Sequence, residues 1–296
     1  MSKAKTTLIH EGRISATTNA LVAMSVYHND VPQWLVQAVN SISRQTYGHF
    51  VFLIVIDGEV SKHISDILFE LANRDERVFL ARNTYNAGLA ASMNFAIEWG
   101  LDKKFQYFFR MDADDISVNE RLEKQIEYLS THHRVSVLGT ALTEINETGD
   151  KVGARVMPAF HKQILKVLPR RCSLNHPTVA FRYEIFMKGF RYDDSLMNTQ
   201  DYFLWIKLAK EGVVFGNLKD RLLDFRRVND FYKRRGLSKS LNEFRARLYA
   251  MRALKKMTLW NLLYACGVLV MRLMPAKLVK LAYKLDRKIL ERSDRQ

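Results

Sequence analysis

The first half of the chain alternates short, continuously apolar runs with longer stretches of helical spacing. Residues 20–26 form one apolar run, and 50–56 is apolar at every position. Runs of this length fit strands buried on both faces. Residues 78–81 and 105–111 read the same way, the second rich in the aromatics that strands favour. Between them, apolar residues recur at three- and four-residue spacing over 31–46, with Leu35, Val39 and Ile42 on one face. Segments 62–73, 89–100 and 119–131 are helical by the same criterion. Strand and helix therefore alternate four times. This predicts an α/β fold, a mostly parallel central sheet with helices on both faces. Past residue 135 the rhythm loosens: 135–145 reads as a strand and 203–210 as a helix. Residues 1–19 are polar and are expected to be loose.

The predicted strands end in acids. The fourth runs into Arg110-Met111-Asp112-Ala113-Asp114-Asp115, three carboxylates within four residues. In open α/β sheets ligands bind at the carboxyl ends of the strands. Clustered like charges need neutralising, and a hard divalent cation that also carries phosphate oxygens would do so. The competing reading is a solvated turn in which Asp115 or Ser117 caps the next helix. Spacing alone leaves both open. An EF-hand is excluded, because Ile116 and Ser117 stand where that loop needs an oxygen ligand and a glycine. Asp57-Gly58 closes the second strand, Asp30 follows the first, and 83–88 is a loop by composition. No glycine-rich phosphate loop occurs.

Charge changes the picture at the C-terminus. The chain has 296 residues, room for a sizeable core, and a net charge of +15. Residues 219–296 hold 21 Lys or Arg against 7 Asp or Glu, a balance of +14. Such a tail attracts a polyanion, either nucleic acid or an anionic membrane. It has no zinc-finger, RNP or basic-zipper pattern, so no nucleic-acid partner is expected. Residues 259–271 are apolar except Asn261, a stretch too short to cross a bilayer comfortably. After Pro275, Leu278, Leu281, Ala282, Leu285 and Ile289 make one helical stripe flanked by Lys277, Lys280, Lys284, Arg287 and Lys288. This fits an amphipathic helix at a membrane interface. A helical pair packed on the rest of the protein is the alternative. Cys172 and Cys266 are too few for a zinc site or disulfide framework, and residues 1–20 lack a leader-like apolar segment, so the expected compartment is the cytoplasm.

Several motifs stand in one order: Ser25-Val26-Tyr27 with Asp30, Val55-Ile56-Asp57-Gly58, Asn86-Ala87-Gly88-Leu89 with Asn94, Met111-Asp112-Ala113-Asp114-Asp115, Asn175-His176-Pro177-Thr178 and Gln200-Asp201-Tyr202. Together they resemble the family-2 glycosyltransferases, whose nucleotide-sugar-binding fold is called GT-A. The bacterial O-antigen and capsular-polysaccharide enzymes are the nearest in kind. The resemblance covers 20–235 as a catalytic domain, with 236–296 as a basic, membrane-associating helical extension.

The resemblance implies a nucleotide diphosphate sugar donor, expected to be a UDP-sugar, and an acceptor glycan carried on a polyprenyl diphosphate. Asp30, Asp57, Asn86, Gly88, Asn94 and Asp112 would hold the donor. Asp112 and Asp114 form a DxD element that would bind Mg²⁺ or Mn²⁺. Asp201 would be the catalytic base of an inverting transfer, and its other reading is a helix N-cap. Trp205 reads as core packing. His176, Arg234 and Arg235 are weaker candidates for the acceptor or a diphosphate, and Arg226-Arg227 supplies further arginine forks. The enzyme would sit peripherally on the inner face of a bacterial membrane. The rival readings are a nucleotidyltransferase with an acidic metal site and a basic nucleic-acid-binding protein.

Overall fold

A computed structural model describes residues 4–196, 199–228 and 237–273. The predicted first-half strands are present as β2 (Ala20–Val26), β3 (Phe50–Asp57), β4 (Val78–Asn83) and β5 (Tyr107–Met111). β2 lies between β3 and β5, and β4 flanks β3, all parallel. Their connections are the helices α1 (Pro32–Ser43), α2 (Lys62–Arg74) and α3 (Leu89–Gly100). α4 (Arg121–Thr131) then leads into the long strand β7 (Val135–Ile145).

Both faces of the parallel strands are buried, which is why they are apolar without alternation. Leu21, Ala23, Leu53 and Val55 pack on one face with Met93 and Ile97 of α3. Val22, Met24, Phe52 and Ile54 pack on the other with Leu35 of α1, Leu68 of α2 and Leu122 of α4.

The loosely patterned part holds elements that the sequence reading leaves out. Thr6–His10 is β1, an edge strand antiparallel to β4, with Leu8 opposite Ala81. It belongs to the segment expected to be loose. Its Thr-Thr-Leu-Ile-His sequence buries only alternate residues in part, so it offers no apolar run. Ile116–Ser117 (β6), Lys151–Arg155 (β8), Ala180–Arg182 (β9) and Val214–Arg226 (β10) complete the sheet. Its order is β1-β4-β3-β2-β5-β9-β7-β10-β6, with β8 on β7. β9 runs antiparallel to both β5 and β7, and so joins the first parallel block to a second one, β7 with β10.

α5 (His161–Val167), the short α6 (Glu184–Met187) and α7 (Gln200–Lys210) cover the second block. Trp205 of α7 is fully buried and stacks on Phe181 of β9, as core packing requires. α8 (Leu237–Ala253) lies against α7, with Tyr249 beside the Phe203 ring. α9 (Leu259–Leu273) packs on α8, where Arg272 pairs with Glu243. Among the described residues no helix is long and apolar enough to cross a membrane. The expected stripe over 276–290 lies outside the described residues, as do Arg234 and Arg235.

Candidate functional site

The acidic segment is a tight turn between β5 and β6. β6 leaves the first block and pairs with β10, Ile116 opposite Asp224 and Ser117 opposite Leu223. The turn brings one carboxylate oxygen each from Asp112, Asp114 and Asp115 within 4.8 Å of one another. Arg110, buried at the end of β5, binds both oxygens of Asp112. Asp115 is fully buried; its Oδ1 accepts from the Arg226 N–H at 2.9 Å, and its Oδ2 has no partner.

These contacts settle the capping alternative against Asp115 and Ser117. α4 begins at Arg121 behind Glu120, whose own side chain does not cap it, and the Gln45 side chain accepts from Leu122 N at 3.0 Å instead. Asp115 points into the protein instead, because the β10 backbone offers it a donor. Arg226 is also not a free fork. Its Nε donates to Asp114 O, its Nη1 to Asn146 O and Glu147 O, and its Nη2 to Gln37 Oε1. Arg227 pairs with the buried Glu144 at 3.0 Å. Arg226 is buried and Arg227 partly so, which an Arg-Arg pair in a basic stretch does not reveal.

The electrostatics describe a site with excess negative charge. Burial, then the nearby charge of Asp112, pushes the Asp114 carboxyl up to about 6. Asp115 is raised well above the carboxylate range by burial, Asp112 and Asp114. Asp30 is raised to about 7, first by burial and further by Asp114 and Asp112. The Asp30 side chain also accepts from Tyr27 N at 2.8 Å, which holds it at the end of β2 beside the acidic turn. Three carboxyls are thus costly to ionise together, and one buried oxygen is unpaired. Clustered hard oxygens of this kind fit Mg²⁺ or Mn²⁺, with Asp112, Asp114 and Asp115 as the holders. A cation would share Asp112 with Arg110.

On the β3 side, Asp57 is buried and faces the protein. Its Oδ1 accepts from Asn83 Nδ2 at 2.7 Å and Ala87 N at 2.8 Å, and its Oδ2 from Gly88 N at 2.8 Å. The carboxylate organises the loop before α3 and leaves Asn86 exposed at its tip. Gly58 has φ of +88°, and a Cβ there would stand 2.7 Å from Asn86 N. Gly88, with φ of +89°, ends the loop at the start of α3. Asn94 does not reach outward either. It exchanges two 2.9 Å hydrogen bonds with the Tyr192 backbone.

Asp201 lies in the first turn of α7, behind Thr199 in left-handed conformation. It is therefore not the N-cap residue, although an acid there still favours the helix dipole. Burial raises its carboxyl above the usual range, against the Tyr202 N–H and the Arg110 guanidinium, which lower it. Cys172 Sγ stands 3.9 Å from Asp201 Oδ2. His176 Nε2 is 3.0 Å from the Tyr192 hydroxyl. Burial and then Arg110 hold His176 well below its usual range, so it is neutral. Arg110 is thus in electrostatic reach of Asp112, Asp201, His176 and Tyr192. The sequence reading missed Tyr192 and Cys172, which carry no local signal. Arg110 did carry one, a charge inside an apolar strand.

Residues 22–190, more than half of the chain, match the family described as Glycosyl transferase family 2. Amylovoran biosynthesis glycosyltransferase AmsE of Erwinia amylovora is 31% identical over 270 residues, 90% of this chain and 98% of its own. O-antigen biosynthesis glycosyltransferase WbnJ of Escherichia coli is 31% identical, covering 82% of this chain and 91% of its own. UDP-Gal:alpha-D-GlcNAc-diphosphoundecaprenol beta-1,3-galactosyltransferase of Escherichia coli is 28% identical, covering 78% and 83%. Among solved structures, S. aureus TarS in complex with UDP-GlcNAc superposes with a TM-score of 0.58 at 15% identity, over 88% of this chain and 83% of that one. Mannosyltransferase PcManGT from Pyrobaculum calidifontis, in complex with GDP-Man and Mn²⁺, gives 0.56 at 13% identity, over 96% and 84%. The mixed sheet described above is accordingly the GT-A fold. An acidic turn at the strand ends, a family match over most of the parallel block and relatives aligned along nearly their whole length lead to one conclusion: the chain belongs to the family-2 glycosyltransferases.

Proposed function

We propose that this protein moves one hexose from a nucleotide diphosphate sugar to a glycan on a polyprenyl diphosphate lipid, with inversion at the anomeric carbon. It would do so in cell-surface polysaccharide synthesis, peripherally on the inner face of a bacterial membrane. The observation that carries the reading is the shared position of Arg110. It joins an acidic cluster suited to a cation and a diphosphate to a buried carboxylate suited to proton transfer. The names of relatives support a UDP-sugar as donor and a lipid diphosphate as acceptor.

In this reading Asp112 and Asp114 would hold Mg²⁺ or Mn²⁺, and the unpartnered Asp115 oxygen is close enough to help. The cation would offset charge developing on the leaving diphosphate. Asp30 and the loop that Asp57 organises, with Asn86 and Gly88, hold the nucleoside. Asn94 acts at one remove, by fixing Tyr192. Asp201 takes the proton of the acceptor hydroxyl as that hydroxyl attacks opposite the leaving group, as in inverting glycosidases. A carboxyl raised by burial is the stronger base for this. His176, against Tyr192, would line the acceptor side, and Arg234 and Arg235, by their charge alone, would suit a diphosphate. Residues 20–235 form the catalytic domain, and 236–296 bind the membrane.

The test is a donor screen with a synthetic lipid-diphosphate sugar acceptor, reading released nucleoside diphosphate. Acceptor-dependent release from one UDP-sugar is expected. Pyrophosphate release from a nucleoside triphosphate would instead make the protein a nucleotidyltransferase.

A further inference from the structure

We propose that the outward face of α9 is a lipid-contacting surface that lies in an anionic membrane interface without crossing it. The proposal rests on the membrane reading above and assigns it to particular residues.

α9 is inside out. A helix on a water-soluble domain turns its apolar stripe inward and its polar residues to solvent. Here the polar residues face the protein. Asn261 is buried, donates to Lys256 O at 2.8 Å and accepts from Arg170 Nε at 2.7 Å. Arg272 pairs with Glu243 of α8. The outward face is apolar: Leu259 is 74% exposed, Trp260 68%, Leu263 56%, Val270 53% and Leu273 57%. Met257, just before the helix, is exposed as well. No charged residue interrupts this face.

Charge selects the occupant. Arg252, Lys255 and Lys256 are exposed at the amino end of α9, and among the described residues no carboxylate pairs with them. Residues 274–296 add seven Lys or Arg against three Asp or Glu. An apolar helix face bordered by cations suits anionic headgroups over acyl chains, and tryptophan favours that depth. Fifteen helical residues span about 22 Å, short of the roughly 30 Å hydrocarbon core, so the helix lies flat. A second copy of this chain would also cover the apolar face. It would bring two sets of Arg252, Lys255 and Lys256 together, and like charges at an interface are costly.

The experiment uses the full chain with vesicles of phosphatidylcholine, with and without phosphatidylglycerol, at low salt. The readouts are co-sedimentation and tryptophan quenching by brominated acyl chains. Trp34, Trp99 and Trp205 are at least partly buried, so Trp260→Phe isolates the signal of the exposed ring. Binding to the anionic vesicles is expected, with quenching in the parent and little in Trp260→Phe. The pair Trp260→Ser with Leu263→Ser, both at exposed positions, should lose vesicle affinity roughly tenfold or more. Its thermal melt and its transfer to a short soluble acceptor should stay unchanged. Lys255→Glu with Lys256→Glu should weaken anionic vesicles selectively.

If the parent ignores anionic vesicles, the membrane reading and this proposal both fail. If the parent binds while Trp260 stays unquenched and the serine pair binds equally, only the assignment to α9 fails. A parent dimer that the serine pair dissociates would give the face to a second copy and overturn the proposal.

Discussion

Arg110 holds Asp112 by both carboxylate oxygens from two residues back along the same strand end. The strand therefore carries its own counter-cation to the edge of the acidic turn. A guanidinium fork suits this better than an ammonium, because it satisfies two oxygens in one plane. Removing it as Arg110→Met leaves Asp112 facing Asp114 and Asp115 unneutralised. Loss of a buried ionic partner costs about 3–5 kcal/mol, and Asp112 is partly open to water, so about 2 kcal/mol is expected. The melting temperature should fall in EDTA and recover in part with Mn²⁺. A melt unchanged in EDTA would show that the pair contributes nothing to the fold.

Asp114→Ala should abolish transfer and weaken nucleotide-sugar binding, because Asp114 is central to the only acidic cluster suited to a cation among the described residues. Chelation of the parent should do the same, with Mg²⁺ or Mn²⁺ restoring activity. Full turnover in excess EDTA would remove the metal from the scheme.

Asp201→Asn keeps the shape of the side chain and loses the basic oxygen. Turnover should drop roughly 10²- to 10⁴-fold, the usual contribution of a general base. Donor affinity, measured by calorimetry, should hardly move. Near-parental turnover would assign proton transfer to another group.

The pH dependence follows from Asp30 at about 7 and Asp114 at about 6, both above the ordinary 3.8. Between the ordinary and the raised value, the folded chain binds protons that the unfolded chain does not. Stability therefore falls as pH rises through this window and levels off above about 7. Asp30→Asn removes one of these groups. In chelator the variant should melt higher than the parent above pH 7, and the difference should vanish near pH 4. Urea titrations across the range check this; parallel curves for parent and variant would refute it.

Gly58→Ala puts a Cβ 2.7 Å from Asn86 N at a φ of +88°. The left-handed backbone costs a non-glycine residue roughly 1–2 kcal/mol, and the 84–88 loop must also shift. Donor affinity should fall more than stability. The comparison is donor titration against thermal melting, and the reading fails if only the melt changes.

The legibility of the chain follows burial. β2 to β5 are covered on both sides, so their apolar runs stand out, and the acids that close them could be located from sequence. β10 is thirteen residues long, but Lys219, Asp220 and Arg221 expose its middle and make it look like a loop. β9 has three residues, too few for a pattern. The site divides in the same way. Asp112 and Asp114 stand out by their place at a strand end, whereas Asp201 is singled out only by the family resemblance. Tyr192 enters only because Asn94, nearly a hundred residues earlier, holds its backbone. Arg226 reads as a solvated cation until the four acceptors of its guanidinium are seen.

The acidic turn starts on β5 in one block of the sheet and finishes on β6, paired with β10 in the other. Its aspartates are therefore jointly owned. A chimera that imports a relative's 135–226 segment to change acceptor choice would also import a new seat for Asp115. Unless the graft keeps an N–H at the place of Arg226 and the pairing of Leu223 with Ser117, donor chemistry would be lost along with the old specificity. Under the proposed function, the second block could be altered around the acceptor only while β10 keeps its N–H for Asp115.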